Sequence, residues 1–143
     1  MSLEENKAII RRYVDCVNKG QLDVLDQLVS PDIIAHNPVP GQGPGLAGVK
    51  QAYVMFMDSF PDALFDLQDL IAEGDKVVAR GVVTGTHGGN FLGVPATKKK
   101  VTWTGIHIFQ LKNGKVTEDW IDLDLLSILQ QVGGFPAPAS SRQ

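Results

Sequence analysis

The residues of this chain best suited to chemistry lie between Val101 and Leu125, in the run VTWTGIHIFQLKNGKVTEDWIDLDL. It reads as two apolar strands joined at Asn113-Gly114, yet it carries His107, Asp119 and Asp122 among residues patterned for a core. An unpartnered ionisable group costs several kcal/mol to bury, so a strand that keeps several is either pairing them or using them. An imidazole takes up and returns a proton near neutrality, and an adjacent carboxylate either abstracts a proton or orients the ring. His107 and Asp119 are therefore the candidate catalytic pair. The plain alternative is a satisfied core histidine and an exposed strand carboxylate.

The turn decides whether the two meet. If Lys112-Asn113-Gly114 is a three-residue loop, Leu111 pairs with Lys115 and His107 lies opposite Asp119. A two-residue Asn-Gly turn puts His107 opposite Trp120, and a slip of one residue moves every side chain to the other face. The first register is favoured because it brings two ionisable groups together. It sets Trp120 on the far face, for packing or a subunit contact. Trp103 shares the His107 face, either as an aromatic wall for a flat ligand or as ordinary core. Asp122 reads as a cap for the short apolar turn from Leu123 to Val132, a role Asp124 could share.

The elements that must position these groups follow from periodicity. Ile9, Ile10, Tyr13, Val14 and Val17 predict a helix from Leu3 to Asn18, opened by a Ser2/Glu5 capping box and ended at Gly20. Its inner face carries Tyr13, whose hydroxyl needs a partner such as a substrate oxygen or His107. A short helix from Leu22 to Val29 precedes a strand, Ile33 to Asn37, that stops at Pro38. Alternation lets one of His36 and Asn37 point inward, not both. The loop PVPGQGPGLAG, residues 38–48, is either a lid or a surface connection. A third helix, Val49 to Ser59, offers Met55 and Phe56 as apolar wall or core. Strands from Ala63 to Glu73 and from Lys76 to His87 precede a glycine-rich loop, in which His87 is expected to face solvent. Helices first and a strand meander after them make an α+β layout.

Composition narrows the field. The 143 residues are 43% hydrophobic and 20% charged, enough for one soluble domain over residues 1–132, with a Pro/Ala/Ser tail over 133–143 expected to be disordered. A net charge of −3 gives no footprint for nucleic acid. The lone Cys16 in a helical apolar pattern, an acidic start and the lack of any membrane-length run point to the cytoplasm. Three scattered histidines show no metal-ligand spacing, no phosphate-binding loop opens a helix, and no serine sits in a strained turn.

At the level of whole segments the chain resembles a known family. The run GTHGGNFLGVPATKKKVTWTGIHIFQLKNGKVTEDWIDLDLLSILQQVG, together with AIIRRYVDCVNKGQLDVLDQLVSPDIIAHNP, is similar to the SnoaL-like polyketide and ester cyclases of the nuclear transport factor 2-like superfamily. That resemblance implies a cone-shaped, cystatin-like fold, with a curved mixed or antiparallel sheet around three helices and a deep pocket. It implies a cofactor-free enzyme acting by acid/base catalysis on a small hydrophobic carbonyl compound, through aldol-type ring closure. It also implies a homodimer with no membrane or nucleic-acid partner. Such cones host isomerases, hydrolases and pure binding domains too, so a ketosteroid-isomerase-like enzyme or a non-catalytic ligand-binding domain stays open. By the same resemblance a pocket histidine falls at His107 and a pocket tyrosine at Tyr13. His36 and Asn37 lie at the mouth, and the family aspartate falls at Ile121. This chain carries Asp119 on the same face one step earlier, so Asp119 must take the acid/base role if the family reaction is kept.

Overall fold

The computed structural model describes residues 1–136; the greater part of the expected tail lies outside the described residues. Helix α1 spans Leu3–Asn18, as the periodicity predicts. Ser2 Oγ accepts from the Glu5 N–H and the Ser2 N–H donates to Glu5 Oε1, each at 3.0 Å, closing the capping box. A 3-10 turn at Leu22–Val24 leads into α2, Leu25–Leu28, and β1 follows at Val29–Ala35. Helix α3 is Gly45–Ser59, one turn longer at its start than the sequence suggests. Three long strands come next, β2 at Leu64–Glu73, β3 at Lys76–Thr86 and β4 at Lys100–Lys112, then β5 at Lys115–Leu123. The final apolar turn is a helix, α4, Leu125–Gln131.

The five strands form one mixed sheet in the order β1-β5-β4-β3-β2, with β1 parallel to β5 and every other pair antiparallel. Its inner face packs on the buried side of α1 (Ile10, Tyr13, Cys16) and on Leu25, Leu28 and Val49. A second cluster, built on Phe60, Phe91, Trp103 and Ile128, fills the other end. Gly81 and Gly105 face each other across β3 and β4. A Cβ at Gly81 would lie 2.4 Å from Phe65 Cζ, so bare backbone there is what lets the Phe65 ring lie over the sheet.

The β4–β5 hairpin corrects both registers considered above. Lys112 pairs with Lys115 across a two-residue turn, and Asn113 and Gly114 both have positive φ, 52° and 79°. This is the primed turn that an Asn-Gly pair favours. The ladder then shifts: Leu111 pairs with Val116 but Gln110 pairs with Glu118, so Thr117 is an extra residue in β5. A bulge of this kind absorbs one residue and resets which face the strand presents. His107 consequently lies opposite Ile121, Phe109 lies opposite Asp119, and Trp120 opposite Ile108. Asp119 does share the inner face with His107, one pair along from the expected partner.

Candidate active site

Between the inner sheet face and the helices α1 and α3 lies a cavity of about 140 Å³. Tyr13, Val14 and Val17 reach it from α1, Tyr53, Phe56 and Met57 from α3, and Phe65, Val83, Trp103 and Leu123 from the sheet. His107 and Asp119 supply its ionisable groups, with Ile121 beside them, and Asn37, Pro38, Val39 and Gln42 line its mouth. No lysine or arginine is among the lining residues.

Asp119 is 1% exposed, and its Oδ2 has no hydrogen-bond partner among the described residues. Burial in this apolar setting pushes its carboxyl up to about 6, against a smaller opposing pull from His36. His107 is half-buried, and it too lines the cavity. Its ring rests edge-on to Phe65 at 5.4 Å and tilted against Phe109 at 5.7 Å. Burial holds its imidazole down at about 4, so it is neutral across the physiological range. His107 and Asp119 do not hydrogen-bond to each other; as a diagonal pair on antiparallel strands their Cα atoms sit roughly 7–8 Å apart.

A second polar feature was not anticipated from the sequence. The Tyr13 and Tyr53 hydroxyls meet at 2.9 Å, and burial pushes both phenols well above the ordinary tyrosine value, so both stay protonated. Two hydroxyls joined by one hydrogen bond leave one O–H free to donate. Tyr53 lies at positions three and four before the cavity residues Phe56 and Met57, the helical spacing that could have marked it.

The sequence profile of the SnoaL-like polyketide cyclases matches residues 7–132. This chain belongs to that family. It is 28% identical over 142 residues to the aklanonic acid methyl ester cyclase DauD of Streptomyces sp. (strain C5), covering 94% of this chain and 86% of that one. It is 27% identical to the aklanonic acid methyl ester cyclase DnrD of Streptomyces peucetius, covering 94% and 95% of the two chains. Among solved structures, AclR from Streptomyces galilaeus superposes with a TM-score of 0.85 at 29% identity, over 97% of this chain and 87% of that one. TsrD from Streptomyces laurentii gives 0.85 at 27% identity, over 94% and 99%.

In this SnoaL-like chain the residues singled out from sequence divide as follows. His107, Asp119, Tyr13, Phe56, Trp103 and Ile121 line one cavity. Met55 is not among the lining residues; Met57 is. Asn37 faces the mouth, while His36 turns outward and stacks on Trp120 at 4.4 Å with the rings parallel to within 2°. Neither N–H of the Asn37 amide is free for a substrate, because both are directed to β5, to the Ile121 carbonyl and to Asp122 Oδ1. Tyr13 is bonded to Tyr53 rather than to His107.

Two further expectations are overturned. His87 is 0% exposed, not in solvent. Its Nδ1 accepts from the Thr97 N–H at 3.2 Å and its ring packs on Phe60 at 5.5 Å, because the glycine-rich loop folds back through a Phe91–Val94 bridge and seals it. The cap of α4 is Asp124, whose carboxylate accepts from the Ser127 N–H at 3.0 Å. Asp122 instead meets Asn37. No group of three His, Cys, Asp or Glu side chains in metal-binding geometry occurs among the described residues. No described helix is long and apolar enough to cross a membrane.

Proposed function

We propose that this chain closes a ring in a neutral polyketide ester by a cofactor-free intramolecular aldol reaction, with Asp119 as the base. The single observation that carries the proposal is the Asp119 carboxylate, buried without a partner for Oδ2 and lifted to about 6 on the wall of an apolar cavity. A base with a pKa near working pH is still ionised at neutrality and returns its proton readily.

In the first step Asp119 takes a proton from a carbon flanked by two carbonyls, leaving an enolate. The free O–H of the Tyr13–Tyr53 pair donates to the enolate oxygen. Neutral His107 donates its N–H to the carbonyl under attack. The enolate carbon bonds to that carbonyl carbon, and the alkoxide that forms recovers the proton held by Asp119, so no proton is gained or lost overall. Each positioned donor in such a site is commonly worth about 3 kcal/mol of barrier. The apolar walls contribute mainly by folding the substrate into reactive geometry.

Preference for an ester over a free acid rests on the lining. With no cationic side chain among the lining residues and Asp119 on one wall, a substrate carboxylate would enter unpaired beside a like charge. The curated relatives act, by their names, on the methyl ester of aklanonic acid. Incubation with aklanonic acid methyl ester and with the free acid tests the reading. Ring closure of the ester, lost in Asp119→Asn, is expected; closure undiminished in that variant refutes it.

One observation favours a second reading, a ligand-binding domain without chemistry: Ile121 is apolar where the family aspartate is expected. Exchange of the acidic C–H of a bound β-keto ester with deuterated solvent separates the two, since a binder leaves it unexchanged. A homodimer through the outer sheet face, where Ile106 is 43% exposed beside Ile108 and Trp120, is the expected assembly. Light scattering that returns a monomer mass at micromolar concentration would refute it.

A further inference from the structure

Strand β1 ends at Ala35, the His36 N–H still donates to the Asp119 carbonyl at 3.0 Å, and Pro38 has no N–H with which to go on. The ladder nevertheless continues by one more step. Asn37 Oδ1 accepts from the Ile121 N–H at 2.7 Å, and Asn37 Nδ2 donates to the Ile121 carbonyl. The second Nδ2 hydrogen points to Asp122 Oδ1 at 3.3 Å. A side-chain amide carries the same donor and acceptor as a peptide group, so Asn37 stands in for the strand residue that Pro38 precludes. The opposite wall of the cavity uses the same device: Asn18, at the end of α1, donates to the Phe65 carbonyl at 2.9 Å and accepts from the Phe65 N–H at 2.8 Å.

We propose that Asn37 is a positioning residue for Asp119, a latch that completes the β1–β5 ladder and holds both the acid-bearing strand and the mouth of the cavity in place. Asp119 sits between two anchors, the His36 N–H on its own carbonyl and the Asn37 amide on Ile121. Upstream of them the Thr117 bulge interrupts the pairing with β4. Without the amide, the segment Ile121–Leu123 keeps β4 on one side but has nothing from β1 on the other. The loop that carries Pro38, Val39 and Gln42 onto the cavity mouth loses its tie to the sheet at the same stroke.

The inference rests on Asp119 as the base, but its structural half is measurable without turnover. In Asn37→Ala and the nearly isosteric Asn37→Asp, amide hydrogen exchange is read at Ile121, and the Asp119 carboxyl carbon is titrated by NMR. The groups that share the cavity with this carboxyl are Tyr13 from α1, Tyr53 from α3 and His107 from β4, while His36 after β1 acts on it by charge from the outer face, where it meets Glu118; none of them is altered. Exchange at Ile121 is expected to rise about tenfold or more while α1 amides stay protected. The Asp119 midpoint in Asn37→Ala is expected to fall toward the ordinary carboxylate range as water reaches the loosened strand. If Asn37→Ala does not fold, Asn37→Asp decides by Ile121 exchange, since it keeps the acceptor and loses both donors. With ester substrate, kcat is expected to drop roughly a hundredfold, its acid limb moving with the NMR midpoint. A merely structural role would lower the active fraction and leave that limb where it was. Unchanged exchange at Ile121 and an unmoved Asp119 midpoint in a folded variant overturn the latch. Altered NMR readings with a wild-type chain that turns over no ester would instead remove the cyclase reading and leave the latch standing.

Discussion

Replacing Asp119 by asparagine should make the protein inactive and, above neutrality, more stable. The ordinary carboxyl value is 3.8 and the folded one about 6. Between these two values the folded chain holds a proton that the unfolded chain has released, so stability is full below 3.8 and falls as pH rises toward 6. A shift of this size corresponds to about 3 kcal/mol lost by pH 7.5, at 1.36 kcal/mol per unit. The isosteric amide carries no charge to desolvate and should escape that loss. The assay is urea unfolding of both proteins at pH 3.5 and pH 7.5. The stability of Asp119→Asn relative to wild type is expected to improve by about 3 kcal/mol between the two, equivalent to roughly 10 °C in Tm for a chain of this length. Ring closure of the ester should vanish in the same preparation. A variant that gains nothing at pH 7.5 would show that the carboxylate is not desolvated, and one that keeps full turnover would show that it is not the base. Loss of activity together with gain of stability is what a functional site held under electrostatic strain produces.

Other perturbations separate the remaining contributions. His107, held down at about 4 by burial, loses the protein stability as pH falls from 6.5, so His107→Gln should be favoured over wild type by about 3 kcal/mol more at pH 4 than at pH 7.5 in the same urea series. Tyr53→Phe removes one of two paired hydroxyls, and kcat for the ester should fall roughly a hundredfold with little loss of Tm. Gly81→Ala would set a methyl 2.4 Å from Phe65 Cζ and 2.8 Å from the Asp66 carbonyl. It should cost about 1–3 kcal/mol by denaturant titration and narrow the range of ester substrates accepted. His87→Ala opens a void beside Phe60 and orphans the Thr97 N–H, at a cost of about 2–4 kcal/mol in the same titration.

The sequence carried the face that His107 and Asp119 share, because the strand period is two and ionisable groups set among core residues stand out. It did not carry the pairing. Thr117 is one residue among alternating neighbours, and nothing in its composition marks it as the one left out of the ladder. Asn37 read only as a residue at the cavity mouth, because side-chain type is visible in sequence and hydrogen-bond saturation is not; the clue to its role in the ladder was Pro38 beside it. His87 was misread for a related reason. Glycine density suggests a surface loop, but Phe91 and Val94 within that loop needed burial, and folding them inward took His87 along. Tyr53 escaped notice because a tyrosine among apolar helix residues reads as packing until the second hydroxyl, 40 positions away, is brought to it.

The bulge at Thr117 also says where β5 takes its numbering from. Val116 and Asp119 are both buried although three positions apart, whereas Asp119, Ile121 and Leu123 follow the two-residue step. The reading frame of the strand is therefore set from its far end, by β1 and by the partner of His107, and the mismatch with the turn is discarded at Thr117. Excision of Thr117 should be silent at the cavity, since Val116 and Asp119 would then be separated by the even step they already act out. Insertion of one residue between Asp119 and Ile121 has no such outlet and would scramble the message downstream. For this hairpin the tolerated change of length and the ruinous one lie three residues apart.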